Sequence, residues 1–254
     1  MEQNIPLITF ITVVYNGVRE LESTIQSILP QTDKRFEYFI VDGGSTDGTL
    51  DIIRRYESQL TGWISEKDNG LYDAMNKGMK YGTGRYLWFM NAGDQIQSPD
   101  TLEKIMALMQ DQKSFPDVIY GETEIIDEAG KSLGLRRLKA PEKLSWKSLQ
   151  WGMVVCHQSF LVRRENCLPY SLQYKFADDI DWMIRVLRNS KEIFNTHLIL
   201  CKFKTGGLSH RNIRHGLKER FRIMTHQYGF FTTFFNHFVL GTRLAWFVLR
   251  HGRI

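Results

Sequence analysis

Cysteine and proline are scarce in this chain, at three and six of 254 residues. Cys156, Cys167 and Cys201 stand far apart with no CxxC pair. That excludes a zinc knuckle and a disulfide-stapled scaffold, and it fits a reducing compartment. The N-terminal “MEQNIPLITF” lacks a basic segment and a small-residue cleavage site, so no signal peptide is read there and a cytoplasmic protein is expected. Basic clusters are missing from the body. Residues 205–254 hold eight Lys/Arg against the single acid Glu219, a surplus of seven, so with a net charge of +5 the first 204 residues sum to −2. A nucleic-acid-binding module needs positive charge across its body, and that class is excluded.

What is present is ordinary for a soluble globular chain, with 43% hydrophobic and 24% charged residues. The length suits one large domain, or one domain with an appendage. Through the first half, strand and helix patterns alternate. “LITFITVV” (7–14) is a continuous β-branched run suited to a strand buried on both faces. “VRELESTIQSIL” (18–29) has helical spacing and is closed by Pro30; “FEYFIV” (36–41) is a second strand. “TLDIIRRYESQL” (49–60) predicts a helix with Asp47 or Thr49 as its N-cap, followed by the strand “GWIS”, the helix “LYDAMNKGMKY” and the strand “RYLWFM”. This alternation predicts a doubly wound, Rossmann-like, mostly parallel α/β sheet. Beyond Pro99 the pattern turns mixed: a helix, two short strands around an Asp127–Gly130 turn, then “HQSFLVRRE” and “FADDIDWMIRVLR”.

In such sheets ligands bind at the carboxyl ends of the strands. Tyr15-Asn16, Asp42-Gly43-Gly44-Ser45, Glu66-Lys67-Asp68-Asn69 and Asn91-Ala92-Gly93-Asp94 all stand at those ends and are expected to share one crevice. “VDGGSTDGT” (41–49) is neither a GxGxxG nor a GxxxxGK[ST] loop, so the dinucleotide and P-loop fingerprints are missing. “FMNAGD” ends a buried strand with one carboxylate, Asp94. A hard cation prefers oxygen ligands and takes several of them from water and substrate phosphates, so one protein carboxylate can hold Mg²⁺ or Mn²⁺ on a diphosphate.

Taken in order, “TVVYNG”, “VDGGSTDGT”, “SEKDNGLYDAMNKG”, “GTGRYLWFMNAGD”, “HQSFLVRRE”, “ADDIDW” and “GGLS” closely resemble the family 2 glycosyltransferases of the GT-A fold, in particular the members that build bacterial polysaccharides. The resemblance implies transfer of a sugar from a nucleotide-diphospho-sugar to an acceptor hydroxyl, inverting and metal-assisted, by a hexosyl- or N-acetylhexosaminyl-type enzyme. It assigns Val13, Tyr15, Asp42, Asp68, Asp73 and Asn91 to the nucleotide-sugar, and Asp94 to the metal. Many members carry a second acid where this chain has Gly43. His157 and Gln158 match an acceptor-side position, for which a buried structural histidine is the alternative. Asp179 matches the catalytic base, with Asp178 next and Asp181 a structural partner. His210, Arg211 and Arg214 are available to the diphosphate, or belong to a plain loop. A non-catalytic glycan- or membrane-binding relative of the same fold is the rival reading.

The expected division is a catalytic domain over 1–208, with a nucleotide-sugar half at about 1–98 and an acceptor half at about 99–208, followed by a basic, aromatic helical region at 209–254. “FFTTFFNHFVLGTRLAWFVLR” (230–250) is interrupted by Asn236, His237 and Arg243 and makes a poor membrane span. Its aromatics, Trp246 and the flanking Arg243, Arg250 and Arg253 suit a helix lying on an anionic leaflet. A helix packed on the domain and a dimer contact are the alternatives. Peripheral membrane contact would suit a polyprenyl-diphosphate-linked glycan acceptor.

Overall fold

The computed structural model describes residues 6–110, 112, 114–207 and 212–251, with side chains left aside at 243–251. The β-branched first segment forms β1 (Ile8–Val14), buried along its whole length. Period-two alternation sends Ile8, Phe10 and Val14 into one core and Ile11 and Val13 into the other. β1 pairs in parallel with β2 (Phe36–Asp42) on one side and β4 (Tyr86–Phe89) on the other, and β2 pairs in parallel with β3 (Gly62–Ser65). The remaining strands are β5 (Gln95–Ile96), β6 (Val118–Ile126), β7 (Ser132–Leu135), β8 (Phe160–Arg163) and β9 (Ile193–Lys204). The order is β3-β2-β1-β4-β8-β6-β9-β5, with β7 on β6. The sheet is parallel through its first four strands and mixed beyond, since β8 runs antiparallel to both β4 and β6.

Helices α1 (Leu21–Ile28), α2 (Thr49–Tyr56) and α4 (Thr101–Met109) cover one face through Leu21, Ile25, Ile53, Leu102 and Ile105. α3 (Leu71–Met79), α5 (Asp178–Asn189) and α6 (Ile213–Tyr228) cover the other through Met75, Ile184, Leu187 and Ile223. At Gly78 a Cβ would stand 2.5 Å from Ile11 Cγ2, so glycine is what lets α3 lie against β1. A last helix, α7 (Phe230–His251), follows α6 after Gly229.

Several expectations shift locally. The helix expected over 18–29 starts at Leu21, because residues 18–20 form a turn in which Glu20 and Leu21 donate to the Gly17 carbonyl. The helix expected over 49–60 ends at Tyr56 and continues as a 3-10 turn, Glu57–Gln59. Neither Asp47 nor Thr49 is its N-cap. That place is taken by Gly48 in the left-handed region, while Asp47 accepts from the Val18 and Thr49 amides and so ties the α1 and α2 loops together. β5 and β9 add two strands that the sequence pattern did not announce.

Candidate active site

The register of the parallel strands puts their ends level. Val14 faces Asp42, and Asp42 faces Ser65. The Ala92 amide reaches the Val13 carbonyl at 3.4 Å, which brings the turn after β4 to the same edge. Chain order reverses at β1, between β2 and β4, so these strand ends lie at the switch point of the sheet. Asn16, which tolerates its positive φ of 49°, joins two of these loops: its amide donates to Ser45 Oγ at 2.7 Å and its Oδ1 accepts from the Thr46 amide at 2.9 Å. Tyr15 is 64% exposed above the buried Val13.

Asp42 is fully buried at the end of β2. Its Oδ2 accepts from the Gly44 amide (3.1 Å), the Ser45 amide (3.0 Å) and Ser65 Oγ (2.7 Å), whereas its Oδ1 is buried without a partner among the described residues. Beside it stands Asp68, whose Oδ1 accepts from the Gly70 amide at 2.9 Å. A Cβ on Gly43 would lie 2.3 Å from Asp68 Oδ2. The missing side chain at 43 is therefore the space that the Asp68 carboxylate fills, and a second acid reaches this turn from the loop after β3. Asp73, in the first turn of α3, accepts from the Asn69 amide at 2.9 Å and lies 3.8 Å from Lys77 Nζ, holding the loop that carries Asp68.

The turn 91–94 hangs on Thr24 of α1, which accepts from the Gly93 amide at 2.9 Å and donates to the Asp94 carbonyl at 2.7 Å. Asp94 is buried. Lys204 of β9 donates its amide to Oδ1 at 3.0 Å, and Gln158 donates Nε2 to Oδ2 at 2.7 Å. Burial pushes this carboxyl well above the usual carboxylate range, although those two bonds pull the other way. No group of three or more His, Cys, Asp or Glu able to hold a metal occurs among the described residues. The donor set fits a divalent cation only in a restricted form. Asp94 offers one carboxylate whose oxygens each keep a lone pair, in a buried place that favours a balancing positive charge. Asn91, half-buried nearby in the turn, has an Oδ1 that is buried without a partner among the described residues.

In the half expected to meet the acceptor, α5 begins with three acids of different standing. Asp178 is buried and spent on the preceding loop: Ser171 donates its amide (2.8 Å) and Oγ (2.6 Å), and Leu172 its amide (3.3 Å). Asp181 pairs with Arg185 Nε at 2.7 Å and Gln227 Nε2 at 2.8 Å. Asp179 is half-buried and holds one backbone bond, from the Ile180 amide at 2.9 Å. Burial raises its pKa, while the charge of Arg220 and the hydroxyl of Tyr72 work against that rise.

Tyr72 stacks on Tyr170 at 5.3 Å, and Tyr170 on Trp182 at 4.9 Å. His157 sits inside this aromatic group, against Phe89 and Trp182, with Nε2 at 2.6 Å from the Tyr170 hydroxyl. Burial pushes its pKa down to about 3, so its ring is neutral at working pH. His157 is thus a buried aromatic partner, and Gln158 touches Asp94 rather than open acceptor space. Sequence reasoning did not single out Ser65, Thr24, Tyr72 or Arg220. Ser65 and Tyr72 lie inside a quoted motif and Thr24 and Arg220 outside any, but each acts through a partner more than 20 residues away in sequence. His210, Arg211 and Arg253, and the side chains of Arg243, Trp246 and Arg250, lie outside the described residues.

An α/β sheet parallel through four strands and mixed beyond, covered by helices on both faces, is the GT-A architecture. The chain belongs to the glycosyl transferase family 2, whose description matches residues 9–168. It is 31% identical over 212 residues to a PGL/p-HBAD biosynthesis glycosyltransferase of Mycobacterium bovis (strain BCG / Pasteur 1173P2), covering 80% of this chain and 79% of that one. It is 30% identical over 165 residues to TuaG of Bacillus subtilis (strain 168), a protein named for teichuronic acid biosynthesis, covering 63% of this chain and 64% of that one. In fold it is similar to S. aureus TarS 1–349 in complex with UDP-GlcNAc, with a TM-score of 0.70 and 18% identity over 87% of this chain and 66% of that one, just under two thirds of its length. It is also similar to the mannosyltransferase PcManGT of Pyrobaculum calidifontis in complex with GDP-Man and Mn²⁺, with a TM-score of 0.63 and 16% identity over 98% of this chain and 77% of that one.

Proposed function

We propose that this family 2 glycosyltransferase takes a nucleotide-diphospho-sugar donor and extends a bacterial surface glycan with inversion at the anomeric carbon. The observation that carries the reading is Asp42. Three donors fix one oxygen of a fully buried carboxylate and leave the other, Oδ1, without a partner among the described residues. A base N–H or ribose hydroxyl is the partner such an oxygen lacks. Asp68 flanks the same turn, Tyr15 offers an exposed ring to a base, and the orphaned Asn91 Oδ1 accepts a second sugar hydroxyl.

Asp179 takes the proton of the acceptor hydroxyl as that oxygen attacks the anomeric carbon, and the bond to the diphosphate breaks with its electron pair leaving on the nucleoside diphosphate. Burial raises its pKa, which makes the carboxylate a stronger proton acceptor. Asp94, oriented by Gln158 and the Lys204 amide, would hold a Mg²⁺ or Mn²⁺ together with the diphosphate. When bound, that ion would neutralise charge on the departing group. The complexes of TarS with UDP-GlcNAc and of PcManGT with GDP-Man and Mn²⁺ support this donor class and this kind of ion by analogy of fold. The acceptor in this reading is lipid-linked and met at the cytoplasmic face, with the enzyme held there peripherally; among the described residues no helix is long and apolar enough to cross a membrane.

The rival, a non-catalytic glycan-binding relative, is favoured by one observation: both Asp94 oxygens already have protein partners. A thermal-shift panel of UDP- and GDP-sugars, each with Mn²⁺ or EDTA, separates the two. One donor at about 100-fold over its Kd should raise Tm by roughly 5–10 °C with Mn²⁺ and less with EDTA. No shift with any donor would favour the rival.

A further inference from the structure

α7 is amphipathic the wrong way round for a helix that covers a core. Its polar side chains Thr233 (2% exposed) and Asn236 (5%) are turned inward, with Asn236 Nδ2 donating to the Gln150 carbonyl at 3.4 Å. Its large apolar side chains are turned outward. Phe231 is 85% exposed, Phe234 60%, Phe235 64% and Phe238 64%, and these four stand at i, i+3, i+4 and i+7, one stripe of the helix. Phe230, 53% exposed, extends the stripe by one ring, stacked on Phe234 at 6.1 Å. A solvent-facing helix gains nothing from a run of phenylalanines, and an apolar patch of this kind marks a contact surface.

The charge carried by the neighbouring helix points to what the stripe meets. Arg214, Lys218 and Arg222 of α6, the helix packed beside α7, are exposed, and residues 205–254 carry a surplus of seven positive charges. A second copy would bring the same surplus against it, and like charges across an interface oppose association. An anionic lipid leaflet brings the opposite sign together with an apolar layer as deep as a phenylalanine side chain. We infer that the Phe231–Phe234–Phe235–Phe238 stripe of α7 docks the enzyme onto an anionic membrane surface, lying in the interface rather than crossing it. The inference deepens the peripheral placement in the proposed function and rests on it.

Flotation of the full chain with phosphatidylcholine vesicles, and with vesicles of phosphatidylcholine and phosphatidylglycerol, tests it. The wild type should partition at least about tenfold more strongly to the anionic vesicles. The triple variant Phe231→Ser, Phe234→Ser, Phe235→Ser should lose about tenfold or more of that binding while its donor-induced Tm rise stays as in the wild type. Lys218→Glu with Arg222→Glu, which leaves the stripe intact, should abolish the preference for anionic over neutral vesicles, and it stands in if the triple variant fails to fold. Equal flotation of the wild type on both vesicles overturns the inference. So does a wild-type dimer in sedimentation velocity that the triple variant converts to monomer, which would give the stripe to a second copy. Donor hydrolysis without vesicles is scored in parallel. Its absence sinks the donor reading and leaves the flotation result standing, while failed flotation with intact hydrolysis sinks only the membrane surface.

Discussion

Strand β2 carries a buried carboxylate near each end, and the two are used differently. At the amino end, Glu37 Oε1 accepts from Thr9 Oγ1 at 2.6 Å, from the Gly84 amide at 2.9 Å and from the Thr83 amide, and Oε2 accepts from Thr83 Oγ1 at 2.9 Å. Both oxygens are satisfied by the protein, and the loop before β4 is stapled to the sheet. At the carboxyl end, Asp42 has three donors on one oxygen and none among the described residues on the other. Both sit in one strand of one sheet with the same chemical group. The unpartnered acceptor stands at the end where the strand order reverses, and under the proposed function it is the one that meets the donor, whereas Glu37 builds the fold.

The largest expected effect extends the contrast to the third acid. Asp179→Asn should lower turnover by about 10²- to 10⁴-fold while the donor-induced Tm rise remains, because in the proposed mechanism the base acts on the acceptor and Asp42 on the donor. Wild-type turnover in that variant would remove Asp179 from the role. Next in size is the pair on β2. Glu37→Ala strands donors from Thr9, Thr83 and Gly84 and should cost about 3 kcal/mol, with donor affinity of the folded protein unchanged. Asp42→Asn keeps the volume and should cost only about 1–2 kcal/mol, yet weaken the donor about tenfold or more. Urea titration gives the first quantity and isothermal calorimetry the second. Equal weakening of donor binding in both variants would erase the distinction between the two ends.

Much of this architecture was legible because local and global signals agree in the first half. β1 is an unbroken β-branched run and is buried on both faces, and four polar strand ends do meet at one edge. Legibility failed where the determining contact is distant. β9 runs Ile193–Lys204 through Asn195, Thr196 and His197, where a positive φ of 56° at His197 and register shifts against β6 break the alternation that would announce a strand. β5 is two residues long and exists through its pairing with Cys201 and Lys202. The Asp94 carboxylate was visible as the end of “FMNAGD”, but its partners lie 64 and 110 residues further on. Gly43 reads in one dimension as a missing acid. In three dimensions it is the gap through which Asp68 arrives.

The smallest expected effect is a shift in a pH profile, and it probes whether Asp179 is tuned by its neighbours as Asp42 is fixed by its own. Burial lifts the Asp179 pKa above the ordinary aspartate value of about 3.9, and the Tyr72 hydroxyl and the Arg220 charge draw it back. A general base works only when ionised, so turnover should fall as pH drops through that raised pKa, with the acid limb above the ordinary aspartate value. Tyr72→Phe keeps the stacking on Tyr170 and removes the hydroxyl that favours the charged form. The folded pKa must then rise further, and the acid limb should move to higher pH by less than about one unit. Asp42→Asn, which touches only the donor side, should leave the limb where it is. A limb that stays in place in Tyr72→Phe, or moves to lower pH, would mean that the ionisation controlling turnover belongs to a group other than Asp179.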